Sequence, residues 1–369
     1  MKDNLDHQPI AWTPTAEVIE RAQLTKFMHQ VGVKTWDELY QFSINDVEKY
    51  TAEVLKFLDI KFDPPYEKLL DTSEGIEWSK WCVGGGLNIS EMCLDRWIGT
   101  EIENQAAIIE EDENGFTWTV TYKELLRCVE DTTASLRVKG LGKGDAIGIH
   151  LPMNFFTVIK LLAIARIGAI AVPVFSGYGV DAIVSRLNAV KAKALITCDG
   201  FTRRGKEFKA FEIAAEAVKK CPTVEKVFLE GFLSSEKFPL KYHKEYWKAF
   251  DGKLSSDSLD SEHHAPWNRE HPERDNVAPE PTSANDPLII LYTSGTTGKP
   301  KGIAHVHCGF PLKAAEDMAF GTDVGKGTRI SWVTDIGWMM GPWWIYGALL
   351  NGATMVLYDG SPDYPNADR

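Results

Sequence analysis

The sequence predicts a parallel, doubly wound α/β sheet, and three observations carry that prediction. From Thr121 to Glu230, short apolar runs alternate with helical stretches, the βαβα rhythm of a sheet covered by helices. The helical stretches carry their own start and stop signals, such as Thr121 with Glu124 three residues on, and Gly168. With 369 residues, 44% of them hydrophobic and 25% charged, the chain is long enough for two or more domains around a large core.

Residues 1–80 are expected to form a helical extension that precedes this rhythm. "VIERAQLTKFMHQVG" spaces Val18, Ala22 and Val31 with Ile19, Phe27 and Met28 on one broad face and stops at Gly32. Thr35 opens "TWDEL" and Ser43 opens "SIND", each with an acidic residue three positions later. Two or three helices over residues 16–60 follow, packed on the main body or on a partner. "FDPPYEKLL" reads as a hinge, because its two prolines exclude helix.

The α/β part then runs in order. "TYKELLRCVEDTTASLRVKG" is a capped helix, "AIGIHL" a strand, and "NFFTVIKLLAIARIG" a buried helix. "AIAVPV" is a strand, "VDAIVSRLNAVKA" a helix and "KALITCD" a strand; "FKAFEIAAEAVKKC" and "VEKVFLE" repeat the pair. Residues 251–287 are polar, Pro-rich and aperiodic, a long surface loop that also contains His263, His264 and His271. No cysteine accompanies those histidines and no helix sets their spacing, so they read as solvated. The division is thus 1–80, then 81–287 with the loop 251–287, then 288–369.

Bulk composition excludes several functions. A net charge of -12 argues against general binding to nucleic acid or anionic membranes. Six scattered cysteines with no CxxC pair are the usage of a reducing compartment, without a disulfide frame or a zinc site. "MKDNLDHQPIAW" lacks the basic start and apolar core of a secretory signal. "LLAIARIGAIAVPVF" is too short for a membrane span and contains Arg166 and Pro173, so a soluble protein is expected.

The chemistry concentrates in "LIILYTSGTTGKPKG", residues 288–302. Hydroxyls come from Thr293, Ser294, Thr296 and Thr297, while Gly295, Gly298 and Gly302 let backbone approach a ligand. Lys299 and Lys301 supply positive charge. The stretch is not a P-loop, since the position five before Gly298 is Thr293 and Pro300 follows the lysine. "GLGKGD" at 140–145 imitates a dinucleotide fingerprint, but it leads from a helix into a strand and has Asp145 at the third glycine, so it is a turn. A loop that wraps a triphosphate and later releases pyrophosphate has this composition.

"YTSGTTGKPKG" resembles the phosphate loop of the adenylate-forming, acyl-activating enzymes, in their acetyl-CoA synthetase-like branch. "WCVGGGLNISEMCLDRW" and "TDIGWMMGPWWIYGALLNGATMVLYDGSP" resemble two further blocks of that branch, and the likeness runs from about Trp81 to Arg369. The N-terminal helical extension resembles that of plant peroxisomal acyl-activating enzymes. The resemblance implies the large N-terminal adenylation domain of such a ligase, which joins a carboxylic acid to AMP from ATP and then passes the acyl group to coenzyme A.

The resemblance also implies site residues. Thr293, Ser294, Gly295, Thr296, Thr297, Gly298, Lys299 and Lys301 would hold ATP phosphates, with Mg2+ nearby. "TRRGKEF" falls where relatives meet the nucleotide phosphates of coenzyme A, implying Arg203 and Lys206 with Arg204 and Gly205 between them; an exposed basic turn is the other reading. Trp338, Met339, Met340 and Gly341 align with the acyl pocket and the passage for the coenzyme A arm, Met340 toward the latter. Acetate-specific relatives have smaller or hydroxylated residues at the two methionine positions, which implies a longer or aromatic acid here. Trp332, Trp343 and Trp344 read as core.

The family's magnesium-binding glutamate, ribose-binding aspartate and catalytic lysine are expected beyond Arg369, so no catalytic or metal-binding residue is assigned. Two readings stay open: a fragment of an acyl-CoA ligase, or a short protein that binds nucleotide or partner without turnover. Peroxisomal location is implied by the resemblance, with the cytoplasm as alternative.

Overall fold

The computed structural model describes residues 12–231, 248–251, 277–293 and 300–366. Its N-terminal part holds four short helices, α1 (Ala16–Arg21), α2 (Gln23–Val31), α3 (Trp36–Asn45) and α4 (Val47–Phe57). The helix expected from Val18 to the stop at Gly32 breaks at Ala22, whose ψ of 142° is extended. That break frees the Gln23 amide to bond Asp323 at 2.7 Å and turns Phe27 inward. Gly32 ends α2 in the left-handed region, as expected. Thr35 and Glu38 form the expected capping box. Ser43 instead lies inside α3, and its presumed partner Asp46 is itself the N-cap of α4.

The expected hinge at "FDPPYEKLL" is a clamped segment. The Asp63 amide bonds Gly86 O and the Gly86 amide bonds Pro64 O, each at 2.9 Å. Only glycine allows this approach, since a Cβ on Gly86 would lie 1.9 Å from Asp63 O. Strand β1 (Lys68–Asp71) then pairs with β2 (Lys80–Val83), and α5 (Ile89–Cys93) follows.

The main sheet has the order β11-β10-β7-β5-β6-β12-β13. Its elements are β5 (Ala146–Ile149), β6 (Ile170–Pro173), β7 (Ala194–Cys198), β10 (Lys226–Glu230), β11 (Lys248–Asp251), β12 (Pro287–Thr293) and β13 (Lys301–Val306). The five central strands are parallel, as the alternation predicts, with α7 (Phe155–Arg166), α8 (Val180–Ala189) and α9 (Ala210–Val218) as crossovers. Both edge strands run antiparallel. For β13 the reason is chain length, because the loop after β12 is far shorter than the dozen or so residues a parallel crossover needs.

A second sheet, β14-β15-β3-β4, joins β3 (Ala106–Asp112) and β4 (Thr117–Thr121) to β14 (Arg329–Ile330) and β15 (Thr354–Asp359). Helix α6 (Tyr122–Val138) leaves β4 through the expected Thr121–Glu124 capping box. Helices α10 (Phe310–Thr322) and α11 (Met340–Leu350) pack together near this sheet, and a small hairpin, β8 (Phe201–Arg203) and β9 (Lys206–Phe208), stands after β7.

One continuous apolar core runs from Phe27 to Leu357, and a smaller one lies under α8 and α9. All six cysteines are buried free thiols. Among the described residues no helix is long and apolar enough to cross a membrane. The stretch expected to be a surface loop over 251–287 begins in β11 and ends in β12, and within it Thr282 and Ala284 are buried because the backbone from 280 to 284 bonds Arg166, Leu87 and Gly85; its histidines lie outside the described residues.

Candidate active site

Winding reverses at β5, with β6 on one side and β7 on the other, so the carboxyl ends of these strands frame the crevice where open α/β sheets bind ligands. A buried polar chain occupies it. His150, just past β5, has Nε2 3.1 Å from Ser176 O and Nδ1 3.3 Å from Thr197 Oγ1. Burial holds this imidazole down to about 4, so it is neutral at pH 7. A carbonyl only accepts, so Nε2 carries the proton and Nδ1 accepts from the threonine hydroxyl.

Ser176, past β6, donates from Oγ to Asp335 Oδ2 at 2.6 Å, and its amide faces the same carboxylate. The Gly337 amide adds a bond of 2.9 Å to Asp335 Oδ1. Burial pushes the Asp335 carboxyl up, against the Ser176 and Gly337 hydrogen bonds and the charge of Arg203, which hold it down. Asp335 therefore straps the segment before α11 across the end of β6. Gly337 and Gly341 make the crossing possible: a Cβ there would meet Phe175 N at 2.1 Å and Asp335 O at 2.4 Å.

The strap sets the expected acyl-pocket residues on the rim. Trp338 rests on Phe175 with centroids 5.8 Å apart, and Trp338 and Met339 are about half exposed. Met340 opens α11, and Gly341 is buried. Of the three tryptophans expected in the core, Trp344 is buried and Trp343 half-buried. Trp332 is exposed, standing edge-on to Trp343, because it precedes the strap on a segment outside any strand or helix.

A row of rings links this rim to β12. Phe175 meets Tyr178, the Arg186 guanidinium lies 4.4 Å from the Tyr178 ring and 5.3 Å from that of Tyr292, and Tyr292 donates to Arg186 O. Thr293 ends β12 directly opposite Lys301 on β13, and both are exposed. The loop thus springs from the carboxyl end of a central strand. Ser294, Gly295, Thr296, Thr297, Gly298 and Lys299 lie outside the described residues.

"TRRGKEF" is the β8–β9 hairpin. Arg204 and Gly205 both take positive φ, 54° and 66°, the two-residue turn that suits hairpin twist. Arg203 stands opposite Lys206, with its guanidinium 5.3 Å from the Phe201 ring. Arg204, expected beside coenzyme A, spends its guanidinium on Ser361 Oγ and Asp363. The turn amides bond Glu113.

Sequence reasoning missed His150, Ser176, Asp335 and Glu113. Asp335 stands inside "TDIGW", where the following glycine was a signal; Glu113 is hidden in the acidic run "EEDENG". Among the described residues no group of three or more His, Cys, Asp or Glu side chains is placed to hold a metal ion.

The chain matches the AMP-binding enzyme family over residues 97–369 and the acetyl-coenzyme A synthetase N-terminus over residues 36–93. It is 38% identical to an acetyl-coenzyme A synthetase of Wolinella succinogenes, covering 90% of this chain and 48% of that protein. It is 35% identical to the Pyrobaculum arsenaticum enzyme of that name, covering 93% and 50%. A solved acetoacetyl-CoA synthetase from Streptomyces lividans superposes with a TM-score of 0.82 at 30% identity, covering 97% of this chain and 52% of that one. The chain spans about half the length of these relatives. With these matches, on this fold, the chain belongs to the AMP-binding enzyme family.

Proposed function

We propose that this chain carries the nucleotide- and thiol-binding part of an acid–thiol ligase. The enzyme would join a small-molecule carboxylic acid to the α-phosphate of ATP with loss of pyrophosphate, then transfer the acyl group to the sulfur of coenzyme A with loss of AMP. The carrying observation is the loop between Thr293 and Lys301, springing from the carboxyl end of β12 beside the switch point. In-line attack on phosphorus asks the protein for positioning and charge neutralisation. Residues Thr293 to Lys301 supply hydroxyls, close backbone and two cations for the phosphates.

Arg203 and Lys206 take the nucleotide phosphates of coenzyme A, with Arg204 and Gly205 shaping the turn. Met340 borders the passage for the thiol arm, while Trp338, Met339 and Gly341 line the acyl pocket. Adaptable methionines on an open rim favour a longer or aromatic acid over acetate. A panel of acids in the exchange assay below tests that preference.

In the ligase that carries this chain, Lys299→Ala/Lys301→Ala should slow acid-dependent exchange of pyrophosphate into ATP at least ~10-fold, the scale of a lost charge-assisted hydrogen bond. Unchanged exchange would refute the phosphate-site assignment. A place in fatty-acid metabolism and a peroxisomal address, with the cytoplasm as alternative, rest on the resemblance read from the sequence alone. Imaging the fluorescently tagged protein against organelle markers tests the address.

A further inference from the structure

Glu113 follows β3 and is buried, yet it serves the separate β8–β9 hairpin. Its Oε1 accepts from the Arg204 amide at 2.7 Å and the Ser361 amide at 3.1 Å, and its Oε2 accepts from the Gly205 amide at 3.1 Å. One carboxylate therefore clasps both residues of the turn and the loop after β15. Arg204, a non-glycine residue at positive φ, is held there at a conformational cost. Its guanidinium is drawn to Ser361 and Asp363, and Tyr364 covers Gly205 so closely that a Cβ would lie 2.4 Å from the phenol oxygen.

Asn-Gly would close such a turn unaided, whereas Arg204 at positive φ is strained and the clasp offsets that strain. What the clasp fixes is the pair on either side of the turn. Arg203 and Lys206 are directly opposed in register, where like charges repel, and the Asp335 carboxylate that feels Arg203 is itself engaged by Ser176 and Gly337. Preorganising two cations for one anion lowers the cost of binding it.

We propose that Glu113 is a positioning residue for coenzyme A: through the Arg204 and Gly205 amides it holds Arg203 and Lys206 at the spacing that receives a phosphate of the nucleotide end. This rests on the reading of the hairpin as the coenzyme A site. The acidic side chain never touches the ligand; its replacement acts through the turn.

The test is calorimetric titration of the ligase that carries this chain with coenzyme A and with 3′-dephospho-coenzyme A. Wild type should prefer the phosphorylated thiol by about 10-fold or more, the worth of a charge-assisted contact. Arg203→Ala/Lys206→Ala should abolish that preference. Glu113→Ala should reduce it nearly as far and speed hydrogen exchange at the 204 and 205 amides. Glu113→Gln should restore part of it, because the amide oxygen still accepts from Arg204 and Ser361; it also serves where the alanine variant fails to fold. A wild type without preference, or an unchanged one in the double variant, overturns the coenzyme A reading itself. A preference lost in the double variant but kept in the Glu113 variants overturns the positioning role. So does equal weakening of both thiols with their ratio unchanged, which is what a merely structural residue would give.

Discussion

At the scale of single residues, two buried imidazoles weaken this fold toward acid pH. His150 lies among the strand ends, and His307 accepts the Ile89 amide on Nδ1, which leaves its Nε2 proton buried without an acceptor among the described residues. Burial holds both rings down to about 4, against an ordinary value of 6.5. Unfolded, each ring takes a proton as the pH falls through 6.5; folded, it resists until about 4. Their contribution is therefore complete above pH 6.5 and is lost progressively toward pH 4, at up to ~1.4 kcal/mol per pH unit for each ring. His150→Gln, which can still serve Ser176 O, should flatten the fall in unfolding free energy measured by urea melts across that window. Equal slopes in wild type and variant would remove His150 from the account. Arg203→Ala/Lys206→Ala in the ligase should raise the KM for coenzyme A by ~10-fold or more and leave pyrophosphate exchange alone. A rise shared by the dephosphorylated thiol would point to general disruption instead.

At the scale of elements, what the sequence made legible was local. The capping boxes at Thr35 and Thr121, the stop at Gly32 and the βαβα alternation depend on residues a few positions apart, and all are present. The break at Ala22 and the clamp on Gly86 were not legible, because Asp323 and Asp63 decide them from elsewhere in the chain. The site divides the same way. Loop composition singled out Thr293 and Lys301 as candidates, whereas the strap by Asp335 and the clasp by Glu113 need distant segments brought together. The pair joining α7 to β10 also escaped notice: Lys160 and Glu230, both fully buried, meet at 2.5 Å. Removing one partner strands a charge, so Lys160→Met should cost about 3–5 kcal/mol, and Lys160→Met/Glu230→Leu should recover most of it. Chemical denaturation of the two variants decides this. A single variant as stable as wild type would mean that Glu230 is served well enough by other groups.

At the scale of the whole molecule, the question is whether the N-terminal helices are an appendage or part of the core. Phe27 is fully buried, stacked on Phe320 of α10 at 4.6 Å and met edge-on by Phe57 and Tyr50. Tyr50 donates to Glu316 at 2.7 Å, which with burial pushes its phenol well above its ordinary range. Arg96 donates to Leu58 O at 3.0 Å and also to Leu350 O, pinning the end of α4 to the end of α11. Helix α10 in turn packs so closely on α11 that a Cβ on Gly347 would meet Met318 Sδ at 2.7 Å. The helices therefore buttress α10 and, through it, the helix that begins at Met340. Phe27→Ala should cost about 3–5 kcal/mol, the usual penalty for emptying a buried aromatic site. Because the core is continuous, that loss should appear as one cooperative transition moved to lower temperature, with helix content and buried tryptophan fluorescence falling together. An early loss of helix signal in Phe27→Ala, followed by an unshifted main transition, would show instead that residues 16–60 melt by themselves and that the α/β body stands without them.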